Sequence, residues 1–170
     1  SAVELIESEP TSYRKYTTNS RAAVVGQYDA LLPIGNPLRG ILLFDPGLRA
    51  TEAATYSWGD VKLLKDNVEQ YYPNERIEVL ASMLWAGKYG AMNWPGHVLE
   101  TITAVGAGVA SAEAEQIEIS GWNGYAYLDF DPTGDGMYEL DTAGAADLKI
   151  RAVGGDTGTV RFLPVENVAV

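Results

Sequence analysis

The stretch Trp122–Asp141, WNGYAYLDFDPTGDGMYELD, carries five carboxylates around the string Asp131-Pro132-Thr133-Gly134-Asp135-Gly136. It reads either as a metal-binding loop or as the tip of a β-hairpin, and that choice decides the fold class. Strand alternation puts Trp122, Gly124, Ala126, Leu128 and Phe130 on one face. Asn123, Tyr125, Tyr127, Asp129 and Asp131 then lie on the other. With 132–136 as the loop, Asp131 pairs with Met137, Phe130 opposes Tyr138 and Leu128 opposes Leu140. The apolar residues coincide, which supports the hairpin. The same register sets Asp129 opposite Glu139, a destabilising arrangement unless a cation or a basic side chain neutralises it.

A calcium loop needs oxygens at positions one, three, five and twelve. Counted from Asp131, Thr133, Asp135 and Gly136 fit, but position twelve is Thr142 and no flanking helices are indicated. A looser metal site built from Asp129, Asp131, Asp135 and Glu139 stays open, with a solvated acidic hairpin favoured over it. The neighbouring segment DLKIRAVGGDTGTVRFL, Asp147–Leu163, offers the competing neutraliser. Leu148, Ile150 and Ala152 face one way, Lys149 and Arg151 the other, and folding about GGDTG sets Arg161 opposite Arg151. One hairpin is acidic on its outer face and the next basic, so they complement each other in a sheet or across a subunit contact.

Outward from these segments the chain is rich in turns. Among 170 residues, 18 Gly and eight Pro divide it into short pieces, which favours β architecture. This length is one domain and buries a core without staples. There is no cysteine, which excludes disulfides, thiolate metal sites and cysteine nucleophiles. A net charge of −11, from 23 acids against 12 Lys and Arg, argues against direct nucleic-acid binding. No apolar run reaches membrane-spanning length, and the N-terminus has no signal-peptide pattern.

Residues 1–12 read as an acidic N-terminal arm, and 13–170 as the folded domain. YRKYTT and RAAVVGQYDALL are strand-like, and PIGNP stops them. In LRGILLFDP, Ile41–Phe44 is apolar on both faces, as expected of a central strand or of one whose second face meets another subunit. SWGDVKLLKDNVEQYY, Ser57–Tyr72, predicts a helix: Ser57 as cap, then Val61, Leu64, Val68 and Tyr71 at helical spacing. NERIEVLASMLWAG reads two ways, with helix favoured over strand across 75–86. From residue 97 onward short alternating segments point to a sandwich or barrel.

Other chemical candidates have plainer readings. VGAGVAS, Val105–Ser111, lacks the third glycine and the helix of a dinucleotide loop. His97 is the only histidine, with no nucleophile elbow to serve. Glu113 and Glu115 suit a solvated strand edge better than a catalytic pair. Trp58, Trp85, Trp94 and Trp122 with Tyr125 and Tyr127 suit core and contacts better than a sugar platform. Tyrosines on a polar face and charge-patterned strands favour protein contacts, so Tyr125, Tyr127, Lys149, Arg151 and Arg161 are the candidate subunit-interface residues.

The order of elements carries a resemblance. A polar arm, the β segment YTTNSRAAVVGQYDALLPIGN, the apolar strand LRGILLF, the excursion SWGDVKLLKDNVEQYY and a run of strands resemble a single jelly-roll major capsid protein. The likeness is to the small major capsid protein of tailless icosahedral viruses with an internal membrane, which infect thermophilic bacteria and haloarchaea. It implies a mainly β fold, a jelly-roll or β-sandwich barrel with one or two helices inserted between early strands. It also implies a place in the virion capsid and association with itself as a homo-oligomer, a dimer in the simplest case. A second, larger capsid protein would share the shell, around a membrane vesicle with its own proteins and enclosed double-stranded DNA. It implies no cofactor, no catalytic residue and no direct nucleic-acid contact. The runner-up is a carbohydrate-binding β-sandwich, calcium-dependent through the acidic hairpin; a glycan-cleaving enzyme ranks third.

Overall fold

The structure, a computed structural model, describes residues 12–45, 56–84 and 124–170. Two antiparallel sheets pack face to face. The first has the order β1 (Ser12–Tyr16), β10 (Thr159–Ala169), β4 (Leu38–Phe44), β8 (Tyr125–Asp129), with β2 (Asn19–Ala22) also on β10. The second has the order β3 (Gly26–Leu31), β9 (Leu148–Gly154), β5 (Asp60–Lys65), β6 (Val68–Glu69), with β7 (Glu75–Arg76) also on β5. One helix, α1 (Ile77–Leu84), packs against β8 and buries Ile77, Leu80 and Leu84. The architecture is the expected jelly-roll sandwich, and 77–84 is the expected helix. The expected arm and the segment readings at His97, Val105–Ser111, Glu113 and Glu115, with Trp85, Trp94 and Trp122, lie outside the described residues, except that Ser12 opens β1.

The core follows from period-two alternation. Ile41 and Leu43 of β4, Ala126 and Leu128 of β8, and Val160 and Phe162 of β10 point inward from the first sheet. Val61 and Leu63 of β5 and Ile150 and Ala152 of β9 meet them from the second. Trp58 sits fully buried among them, stacked on Tyr28 at 5.9 Å and edge-on to Phe162 at 6.1 Å. Its indole N–H donates to the Phe44 carbonyl at 3.0 Å, so its one polar atom is satisfied. Each Val, Leu, Ile or Phe side chain so removed from water contributes about 1.5–3 kcal/mol, so these faces dominate the energetics.

β10 carries a proline in a central strand, where a missing N–H is normally costly. Pro164 is tolerated because β1 ends opposite Val165 and β2 begins opposite Phe162. Leu163 and Pro164 fall in the gap between these two partners. A bulge follows at Val165/Glu166, where the register against β4 shifts.

Three expectations are corrected. Ser57–Tyr72 is a hairpin, not a helix. Asp66 and Asn67 both take positive φ, 53° and 62°, forming a two-residue turn between Lys65 and Val68. Val68 and Tyr71, placed on the helical stripe, are 61% and 59% exposed. The inward residues are Val61 and Leu63, two apart. Ser57 caps nothing: its carbonyl accepts from the Tyr28 hydroxyl at 2.7 Å.

Residues 125–141 do not pair with each other. β8 pairs with β4, Leu128 with Ile41 and Ala126 with Leu43, and only Leu140 forms an isolated bridge, to Leu38. The longer apolar strand is the stronger partner, because it surrounds both inner residues with buried neighbours. Asp129 therefore stands opposite Gly40, not Glu139. The apolar face is as expected at Ala126, Leu128, Phe130 and Leu140, but Tyr138 is half exposed.

Finally, β9 and β10 are not a hairpin. They belong to opposite sheets, so Arg151 lies between Asp29 and Lys62, and Arg161 between Phe44 and Ser20. Crossing between sheets at 155–158 makes each strand central in its own sheet and separates the two arginines.

Candidate interface on the outer face of the first sheet

Pairing across β10, β4 and β8 sets the outward side chains in rows. Arg161, Phe44 and Tyr125 form one; Leu163, Leu42 and Tyr127 the next; Val165, Gly40 and Asp129 the third. Phe44 and Tyr125 rings lie 5.2 Å apart at 54°, and the Arg161 guanidinium stands 5.9 Å from the Phe44 ring centre. Thr18, Leu42, Leu163 and the edge of Phe162 complete a groove of about 260 Å³ around this cluster. Leu42, Phe44, Tyr125 and Leu163 remain half-buried.

Tyr127 lies across Gly40. A Cβ at that glycine would stand 2.1 Å from the tyrosine hydroxyl oxygen, so only glycine leaves the ring its place. Burial pushes the Tyr127 phenol up to about 12, with Asp129 adding to the shift. Arg14 and Tyr16 of β1, opposite Asn167 and Val165, share this face by alternation, and both act on the same phenol.

The charge pattern is one-sided. Lys15, Arg39, Lys62, Arg76, Lys149 and Arg151 each hold a carboxylate, and Lys65 donates to the Asp141 carbonyl. Among the described residues Arg14, Arg21 and Arg161 form no carboxylate pair. Arg21 instead covers Tyr28 at 5.8 Å, at the rim between the sheets. Among the described residues, the outward face of the first sheet thus keeps two guanidinium groups, Arg14 and Arg161, without a carboxylate partner, in a chain of net charge −11.

The five expected interface residues divide. Tyr125, Tyr127 and Arg161 share this face. Lys149 and Arg151 point outward from the second sheet, where their charge is used locally. Arg151 donates to both Asp29 oxygens, at 2.8 and 3.0 Å, and these bonds hold the Asp29 carboxyl below its ordinary range. Lys149 is bonded to Asp147. The expected matching of acidic and basic hairpins is replaced by pairing within each sheet.

The four metal candidates do not converge, and among the described residues no three His, Asp or Glu are grouped for a cation. Asp131 is buried, accepts the Gly136 N–H at 3.1 Å on both oxygens and pairs with Arg39 at 3.1 Å. Asp135 accepts from Met137 N–H and the Thr133 hydroxyl, both at 2.9 Å; the Met137 bond, then the Thr133 bond, lower its pKa. Glu139 accepts from the Asn167 amide at 3.1 and 3.3 Å. Asp129 and Glu139 do not face each other, and the basic group that enters this loop, Arg39 of the adjacent strand β4, pairs with Asp131. Trp58, offered to the sugar-platform reading, is core.

Sequence reasoning missed Phe44, Leu42 and Leu163 as partners of the two tyrosines. The signal was the two-sided apolar run Ile41–Phe44. It missed Gly40 too, although an isolated strand glycine marks a close approach.

No protein-family model matches the chain, and no curated protein matches it. Solved structures do. The major capsid protein P2 of bacteriophage PM2 superposes with a TM-score of 0.60 at 11% identity, over 96% of this chain and 47% of that one. The STIV major capsid protein gives 0.56 at 14% identity, over 94% and 42%. A chain of the atomic structure of Sulfolobus Turreted Icosahedral Virus gives 0.55 at 14% identity, over 93% and 39%. This chain spans less than half the length of each, and what it shares with them is the jelly-roll fold.

Proposed function

We propose that the chain is a structural protein of a virion, a jelly-roll major capsid protein that associates with itself through the outer face of its first sheet. A second, larger capsid protein shares the shell, which surrounds a membrane vesicle; no catalysis is assigned. The observation that carries the reading is the aromatic groove at Phe44 and Tyr125 beside an arginine with no carboxylate partner among the described residues. Aromatic and arginine side chains with half-exposed apolar neighbours are the composition of contact cores. Likeness of fold to the PM2 and STIV capsid proteins supports the same reading.

The test is the mass of the purified protein by sedimentation velocity across concentration and salt. Self-association that weakens as salt rises is expected, since exposed charges are screened within about 10 Å at 0.1 M. Tyr125→Ser with Arg161→Ala should weaken it, and Lys149→Ala with Arg151→Ala should not. A protein that stays monomeric at every concentration, or responds only to the second pair, overturns the reading.

A further inference from the structure

We propose that the groove beside Arg161 receives the loop 132–141 of a second copy of the chain, joining subunits head to tail. The inference rests on the self-assembly reading and names the contact within it. The groove offers an apolar aromatic floor at Phe44, Tyr125, Leu42 and Leu163, with Arg161 at its lip. The loop offers the complementary knob. Met137 and Tyr138 are 76% and 51% exposed, flanked by the carboxylates of Asp135, Glu139 and Asp141. Apolar side chains would enter the groove while a carboxylate meets the guanidinium that finds none among the described residues of its own subunit.

The loop is also held in shape before any partner arrives. Asp131 is bound by Gly136 N–H and Arg39, and Asp135 bridges Thr133 and Met137. Little conformational entropy remains to be lost on docking. Within one subunit knob and groove stand apart. β8 runs from Tyr125 at the groove to Asp129, where the chain enters the loop. Four residues at about 3.3 Å each separate them by about 13 Å along the sheet. A contact between different patches of identical subunits is heterologous, so it closes into a ring or continues as an array.

Sedimentation velocity on the full chain tests this with two damaged forms. Arg161→Glu spoils the groove; Met137→Ser with Tyr138→Ser spoils the knob. Thermal melts confirm that each folds, and Arg161→Ala replaces Arg161→Glu if the latter melts early. Each form alone should self-associate at least about tenfold more weakly than wild type. An equimolar mixture should form a two-subunit species and nothing larger, because one intact knob meets one intact groove and the remaining faces are both damaged. Damaged forms that associate like wild type, or a mixture that stays monomeric or grows beyond two subunits, overturn this contact while self-assembly stands. A wild type that never associates overturns the self-assembly reading as well.

Discussion

Tyr127 occupies the space that a side chain at Gly40 would need. The would-be Cβ is 2.1 Å from the phenol oxygen, 2.4 Å from Cζ and 2.7 Å from the Leu128 carbonyl oxygen. Two of these atoms are a movable ring; the third is backbone of the paired strand. Gly40→Ala should therefore cost about 1–3 kcal/mol, the range of overpacking in a well-filled site. Adding Tyr127→Ala should recover only part, since the Leu128 carbonyl remains. Urea unfolding measures both, and a Gly40→Ala protein as stable as wild type would refute the close packing.

The turn at Asp66-Asn67 separates hairpin from helix by the sign of two substitutions. Asn67 has φ of 62°, and left-handed backbone costs an L-residue about 1–2 kcal/mol. Asn67→Gly should hold or raise the melting temperature, and Asn67→Val should lower stability by about that amount. In a helix the order would reverse, because glycine costs about 1 kcal/mol there and valine less. Finding Gly below Val would return 57–72 to the helical reading.

The same residues show what the sequence made legible. Alternation named the inner faces of β8 and β9 correctly, because period two is local and survives any choice of partner. Partner choice is not local. Both expected hairpins joined neighbours in sequence, whereas β8 lies on β4 and β9 and β10 lie in different sheets. The helical stripe at Val61, Leu64, Val68 and Tyr71 was a coincidence of spacing that the Asp66-Asn67 turn signal outweighs. Tyr125, Tyr127 and Arg161 were singled out as contact residues on two separate hairpins, but that they share one face, with Phe44 at its centre, is visible only once β4 stands between β8 and β10.

The acidic loop makes a prediction about metal. Arg39 takes the place beside Asp131 that a cation would fill, and Gly136 N–H saturates the remaining oxygens. Calcium or a chelator should leave the melting temperature unchanged. Arg39→Ala should lower stability by about 3–5 kcal/mol, because it strands a fully buried carboxylate. A rise of several degrees with millimolar calcium in the wild type would show that the loop binds the ion after all.

Glu166 ties strand β1 to the sandwich and sets an acid limit on stability. Its buried carboxylate accepts from Lys15 Nζ and Asn36 Nδ2, each at 2.9 Å. Burial works to raise its pKa, but the Asn36 and Lys15 bonds together with the Lys15 charge outweigh it, and the net shift is downward. A carboxyl depressed in the folded state binds its proton more readily when unfolded. Its contribution is therefore complete above the unfolded value of about 4.3 and is lost as pH falls through the lower folded value. Asp29, lowered by Arg151, acts in the same direction. Lys15 is half exposed, so solvent screening keeps its share modest. Urea midpoints should hold from about pH 7 to about 5 and decline below about 4. Glu166→Gln cannot titrate, so its deficit against wild type should shrink as the pH is lowered through that limb. A deficit that stays constant between about pH 5 and about 3 would mean that the ion pair contributes nothing specific to the charged form.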